Sequence, residues 1–384
     1  MSRSPSRTRP RVFKPPPTPR FKKGEKVVIV LGAGATKACD GPLTTEILPQ
    51  AFEATKGVKL EILDKLLVSL FGVPPLGQKR NDRDYPALPT LLSLIDTAID
   101  REHDLGNDWP TQKLRQVRRQ AEYAVFKGIA YAMRSPKSWG IRCHEDMLSH
   151  IHDRTARDPR DPKRWPTVIS FNYDLRIDYA MIEVDGGGLP DYGCDFGTQG
   201  YHEAQKFGRL YKLHGSMHWL YCPTCQRLEL GVDTKGRLRK MGLSLAQTLA
   251  SPDFVASLEQ NVLRCPDCRS AFRAVMITPT SLKDYRNPHI ASLWYQAERA
   301  LRDADRVVFV GYSLPWDDID VIYLLKRGIA KAKGRMISVV EHSSTGPVPI
   351  LDHEAGRRYQ AVFGHDLDWQ PVGFEKWARS LWSS

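Results

Sequence analysis

Six short apolar runs rich in β-branched residues punctuate the sequence, each closed by glycine or a polar cluster. They are Val27–Leu31, Thr167–Phe171, Arg209–Leu213, Ala274–Thr278, Val307–Gly311 and Met336–Val340. Runs of this length, apolar throughout rather than alternating, read as strands buried on both faces, as in a parallel sheet. Helical spacing fills the intervals, with helices expected over 174–183, 290–303 and 317–332. Strands alternating with helices predict a doubly wound, Rossmann-like α/β fold with right-handed crossovers. Two insertions interrupt it. One is helical, at about 47–165, where Leu60, Leu63, Leu66, Leu67 and Leu70, then Leu88, Leu91, Leu92 and Ile95, recur at helical spacing. The other, at about 220–272, carries close cysteine pairs. The expected division is a basic arm over 1–26, one domain over 27–342, and a C-terminal extension over 343–384 packed on it.

Charge must be located before it is interpreted. The 384-residue chain has a formal charge of +12. Residues 1–26 hold nine Lys or Arg and one Glu, a net +8, which leaves +4 for the remaining 358. The basicity belongs to an arm rich in Pro, Ser and Arg, with little to bury, and the expectation is a disordered, solvated segment. Nucleic-acid contact through this arm is one reading of it. Its prolines at 15–17 and 19 oppose the amphipathic helix of a transit signal. No apolar run reaches the ~18 residues needed to cross a bilayer, so the expectation is a cytoplasmic protein without membrane contact.

Polar clusters stand where four strands end, and in an open α/β sheet the carboxyl edge is where ligands bind. Gly32-Ala33-Gly34-Ala35-Thr36 follows the first strand. It reads either as a phosphate-binding turn at a helix N-terminus or as a tight strand-to-helix turn. Lys37 occupies the third position of the dinucleotide fingerprint, where Gly or Ala is usual. Asn172 and Asp174 follow the second strand, Asp174 also suiting a helix N-cap. His214 follows the third, and Gly311-Tyr312-Ser313 closes another. His214 titrates near neutral pH and can accept a proton, while Asn172 can hydrogen-bond a hydroxyl or position water.

Cys222-Pro-Thr-Cys225 and Cys265-Pro-Asp-Cys268 are two matching knuckles separated by 39 residues. Four thiolates in two pairs suit a closed, structural zinc site. Seven cysteines in all, an odd number, do not suggest a disulfide framework. His144, His150 and His152, with Glu145, have spacings that point their side chains apart on a helix, so surface or capping roles are expected.

In their shared order, the Gly-Ala-Gly turn, Phe171-Asn172-Tyr173-Asp174, His214-Gly215, the split cysteine quartet and Gly311-Tyr312-Ser313 resemble the sirtuin superfamily from about 27 to 342. The resemblance implies NAD as substrate and a structural zinc. It implies catalytic roles for Asn172 and His214, and nucleotide contacts at Gly32, Ala33, Gly34, Ala35, Thr36, Asp174, Gly311, Tyr312, Ser313 and Glu341. Departures are as informative. Gly41-Pro42-Leu43-Thr44-Thr45-Glu46 lacks the arginine found in deacylases, and Ile277-Thr278-Pro279-Thr280 replaces their acyl-peptide segment, leading to a helix with Trp294. These features are similar to a divergent bacterial branch associated with NAD destruction in anti-phage defence. The expected activity is NAD+ hydrolysis to nicotinamide and ADP-ribose. The alternatives are an NAD-dependent protein deacylase and a non-enzymatic NAD or ADP-ribose sensor. Such an activity needs control, and homo-oligomerisation or a regulatory partner acting on the helical block is expected.

Overall fold

The computed structural model describes residues 13–17, 20–106, 108–134, 140–156, 165–232, 237–250, 264–278, 287–329 and 335–382. Its strands in chain order are β1 (Val27–Leu31), β2 (Thr167–Ser170), β3 (Leu189–Asp191), β4 (Lys206–Lys212) and β5 (Gly215–Tyr221). There follow β6 (Leu228–Leu230), β7 (Arg273–Met276), β8 (Arg306–Val310), β9 (Met336–Val340) and β10 (Asp368–Gln370). Seven of them form a parallel sheet in the order β10-β9-β8-β1-β2-β4-β3. β1 lies near the middle, with Val28 opposite Thr167 on one side and Val307 on the other. All five of its residues are buried, as are all five of β8. This is why these segments read as continuous apolar runs. After β1 the chain builds one side of the sheet through β2, β3 and β4, then returns to the other side of β1 with β8. The carboxyl ends of β1 and β8 therefore flank the switch in winding, where α/β sheets open a crevice.

The helical block comprises α2 (Ile47–Thr55), α3 (Glu61–Phe71), α4 (Leu88–Asp100), α5 (Thr111–Ala132) and α6 (Cys143–Thr155), after the short α1 (Ala33–Lys37). α5 is its axis. A Cβ on Gly128 would lie 2.3 Å from the Ile47 carbonyl oxygen, so glycine lets α2 pack directly onto α5. Later helices are α7 (Arg176–Asp185), α8 (Gln199–Glu203), α9 (Met241–Leu249), α10 (Pro288–Asp303), α11 (Ile319–Ile329), α12 (Glu354–Phe363) and α13 (Phe374–Leu381). The Asn287 side chain caps α10 by accepting from the His289 amide at 3.0 Å, and Pro288 sits where its missing N–H costs nothing.

Three expectations are corrected. The run at 274–278 contributes β7, which pairs antiparallel with β5 in a separate three-stranded sheet of order β6-β5-β7, not in the parallel sheet. Of its four residues only Val275 is buried, unlike β1 and β8, which are buried along their whole length. The chain after 342 does more than pack on the sheet, because β10 pairs with β9 as its edge strand. The arm also docks before residue 26. Phe21 is buried, the Arg306 guanidinium lies 4.2 Å from its ring centre, and Arg306 donates to Glu25 Oε1 at 2.8 Å and to the Arg20 carbonyl at 2.9 Å. Residues 1–12 and 18–19 lie outside the described residues. Among those described, no helix is long and apolar enough to cross a membrane.

Candidate functional site

The turn after β1 is locked against the turn after β8. The Gly34 amide donates to the Gly311 carbonyl at 2.8 Å, and the Gly32 amide to the Val310 carbonyl at 3.1 Å. A Cβ on Gly32 or Gly34 would stand 2.6 or 2.7 Å from backbone atoms of the 311–312 segment. Both readings of these glycines are thereby refined. They permit backbone to approach backbone, and the Gly34 amide is already used within the fold rather than held out to a phosphate. The helix that follows, α1, has five residues, with Ala33 and Gly34 only partly buried and Ala35 and Thr36 buried. Lys37 pairs instead with Glu46 at 2.8 Å.

A polar network joins this turn to the end of β2. Asn172 Nδ2 donates to the Gly32 carbonyl at 2.8 Å and to Thr36 Oγ1 at 3.0 Å. Thr36 in turn donates to Asp174 Oδ2 at 2.7 Å, and Asp174 Oδ1 accepts the Arg176 amide at 2.8 Å. Asp174 thus anchors Thr36 and also binds the first amide of α7, whose N-cap is Leu175. Among the described residues the Asn172 Oδ1 takes no hydrogen bond.

His214 follows β4 and is largely buried in an aromatic niche. Its ring centre is 5.0 Å from that of Phe171 and 6.4 Å from those of Tyr173 and Trp294. Trp294, on α10, is held by its indole N–H donating to the Leu213 carbonyl at 3.2 Å. Phe171 also lies 4.8 Å from the Tyr312 ring, so rings connect the ends of β2, β4 and β8. The helical block reaches the same place. Phe126 packs edge-on to Tyr173 at 6.1 Å, and Arg118 of α5 donates to Thr278 Oγ1 at 2.8 Å. Thr280 lies outside the described residues.

On the far side, Tyr312 is buried, donates to Asp318 Oδ2 at 2.6 Å, and its carbonyl accepts from Tyr359 at 2.6 Å. Ser313 is exposed, with its carbonyl held by Arg358 at 2.8 Å. Glu341 ends β9. Its Oε1 is buried and takes no hydrogen bond among the described residues, and burial lifts its carboxyl to about 7.

The four knuckle cysteines converge at the edge of the small sheet. Cys222 Sγ is 3.4 Å from Cys268 Sγ, Cys225 Sγ is 3.4 Å from Cys265 Sγ, and all four sulfurs lie within 4.8 Å of one another. The knuckles repeat one backbone: the Gln226 and Arg269 amides close each turn at 2.9 Å, with φ of 63° and 61°. Four thiols so placed fit a zinc tetrahedron, whose sulfur–sulfur edge is about 3.8 Å for bonds of about 2.3 Å. Cys222, Cys225, Cys265 and Cys268 would hold the ion in a closed, structural site.

The histidines of α6 diverge as expected, but they are not surface residues. His150 lies edge-on to Trp382 at 5.0 Å, His152 stacks on Trp165 at 4.0 Å, and His144 faces Cys39 and Cys143. Glu145 is buried too and takes two bonds from Arg176, at 2.6 and 2.7 Å. The sequence reading missed that pair. It also missed buried Lys212, which donates to the Asp174 carbonyl and, at 2.8 Å, to Asp178 Oδ2. Lys212 supports the loop carrying Asn172 and Asp174 from below. A cation at the end of an apolar strand was the signal for it.

No family model and no curated protein matches this sequence. Solved structures of Sir2 proteins are similar in outline. One described for the mechanism and regulation of Sir2 enzymes is 15% identical, with 94% of this chain and 91% of that one covered and a TM-score of 0.37. Sir2Tm bound to a propionylated peptide is 12% identical, covering 94% and 92%, with a TM-score of 0.42. A Sir2 complex with a p53 peptide and NAD+ is 12% identical, covering 93% and 92%, with a TM-score of 0.39. Overlap at this level carries no chemistry across to this chain.

Proposed function

We propose that this protein is an NAD+ glycohydrolase, cleaving the nicotinamide–ribose bond with water to give nicotinamide and ADP-ribose. The observation that carries the reading is the Phe171 ring, which touches both His214 and Tyr312 and so makes the ends of β2, β4 and β8 one continuous site. The sirtuin-like order of motifs supports NAD as the substrate. Glu341 is suited to accept ribose hydroxyls, and Asp174 and Thr36 to hold the turn against the nucleotide. In the reaction the C1′–N bond breaks and its electron pair passes to the nicotinamide ring, quenching the pyridinium charge. A C1′–O bond forms from water, and His214 accepts the proton that water loses. Asn172 presents Oδ1 to the ribose or the water, its Nδ2 being fixed by Gly32 and Thr36. His214 in an aromatic wall keeps bulk water away from the oxocarbenium-like centre.

The missing deacylase segments favour water over an acyl-lysine as the acceptor. On this reading the protein is a cytoplasmic effector that depletes NAD in anti-phage defence. A second copy or a regulatory partner controls it through the helical block, which reaches the site through Phe126 and Arg118. The arm, with its excess of Lys and Arg, is a candidate contact for nucleic acid, and that binding would weaken steeply with salt.

Incubation with NAD+ alone, followed by chromatography, should yield nicotinamide and ADP-ribose in equal amounts. Asn172→Ala and His214→Ala should each lower the rate roughly 10²–10⁴-fold while the protein stays folded. Turnover only when an acyl-lysine peptide is added would instead identify a deacylase. NAD+ bound yet intact after prolonged incubation would identify a sensor.

A further inference from the structure

A second group of soft donors lies in the interior, apart from the four-cysteine knuckles. Cys39 follows α1 by two positions, and Cys143 and His144 open α6. Cys39 Sγ is 3.6 Å from Cys143 Sγ and 3.5 Å from His144 Nδ1, and Cys143 Sγ is 3.7 Å from the same nitrogen. All three side chains are removed from solvent, at 0, 2 and 1% exposure. A disulfide would bring the sulfurs to about 2.05 Å. The three separations instead resemble the edges of one coordination tetrahedron, about 3.8 Å for sulfur–sulfur and about 3.6 Å for sulfur–nitrogen with ordinary zinc bond lengths.

The surroundings suit a metal ion. His144 is held edge-on against Phe374 at 4.9 Å, which fixes Nδ1 toward the sulfurs. Two thiolates and a neutral imidazole balance a divalent cation, and the adjacent Arg176–Glu145 pair is neutral as a unit. The Ile141 carbonyl oxygen, 3.9 Å from Cys39 Sγ, stands at the edge of the cluster with one lone pair taken by Arg176.

We propose that Cys39, Cys143 and His144 form a second metal site for a thiophilic d10 cation, zinc in the first instance. Binding displaces two thiol protons to solvent as two metal–sulfur bonds and one metal–nitrogen bond form. The ion ties the chain three residues beyond Thr36 to the first turn of α6. It thereby fixes the helical block to the turn held by Asn172 and Asp174.

Metal analysis of the full chain purified without chelators tests this, with zinc as the probe. About two zinc ions per chain are expected, and zinc-edge X-ray absorption should average about three sulfur ligands per ion, four at one site and two at the other. Cys39→Ser and Cys143→Ser should each leave about one zinc with four sulfur ligands. The Cys222→Ser, Cys225→Ser double variant should leave about one zinc with two sulfurs and imidazole. One zinc per chain with four sulfurs in the unaltered protein overturns the proposal, and that measurement does not depend on any variant folding. A second ion retained by both serine variants overturns it as well. So does a purified protein whose intact mass and peptide map show a Cys39–Cys143 disulfide.

Discussion

Glu341 places a buried oxygen with no hydrogen-bond partner among the described residues at the carboxyl edge, and the cost of that arrangement depends on pH. Lost hydration disfavours its charged form, which raises its pKa to about 7, with the His342 backbone amide and then Arg358 opposing the effect. Because the folded value lies above the unfolded one, Glu341 costs nothing at low pH. It destabilises the protein increasingly as pH rises from the ordinary carboxyl range through about 7. A ribose hydroxyl donating to Oε1 would favour the charged form, so ADP-ribose should bind more tightly at pH 8 than at pH 6. Titration calorimetry should find that slope in the wild type and a flat profile in Glu341→Gln; equal slopes would remove Glu341 from the pocket. Gly311 makes a different prediction. Its φ is 59°, and a Cβ there would lie 2.2 Å from the Ala35 nitrogen. Backbone cannot yield as a side-chain tip can, so Gly311→Ala should cost roughly 2–4 kcal/mol in urea unfolding even without nucleotide. A variant that weakened only nucleotide binding would show the contact to be softer than its geometry.

At the scale of elements, β4 meets α7 through buried charge. Lys212 and Asp178 are fully buried and paired at 2.8 Å, and Tyr192 donates to the other Asp178 oxygen at 2.7 Å. His218 lies beside them, its pKa held well below the usual value by burial and by the charge of Lys212. Removing the cation leaves a buried carboxylate alone, so Lys212→Met should destabilise the protein by about 3–5 kcal/mol. The Lys212→Met, Asp178→Leu double variant should recover part of that loss in the same denaturation assay. These pairings explain what the sequence could disclose. β1, β8 and β9 were legible because strands buried on both faces must be apolar along their length. β3 and β10 were not, since three-residue edge strands containing Pro190 or Asp368 need no such run. Asn172, Asp174, His214 and Glu341 could be picked out because each stands where a legible strand ends. Cys39 and Cys143 are 104 positions apart and Arg176 is 31 from Glu145, and neither periodicity nor local spacing pairs residues across such distances.

In the whole molecule the arm and the C-terminal strand meet around the sheet. Arg306, at the start of β8, gathers Glu25, the Arg20 carbonyl and the Phe21 ring, while Gln370 of β10 donates to the Pro16 carbonyl at 2.9 Å. Deleting residues 1–12 should leave the melting temperature nearly unchanged. Deleting 1–26 should lower it by several degrees, because it removes Glu25, paired with the buried Arg306 guanidinium at 2.8 Å, and the Phe21 ring that packs on it. Equal melting temperatures would mean that the docked part of the arm adds nothing to stability. The Pro16–Gln370 bond spans 354 positions, which orders events in time as well as in space. During synthesis β9 emerges with one edge open and stays so until residues 368–370 arrive to pair with it. Only then can the Pro16 carbonyl accept from Gln370. A chain interrupted short of that point has nearly every catalytic candidate and an unfinished sheet. On the proposed function, that order would complete the sheet beside Glu341 last.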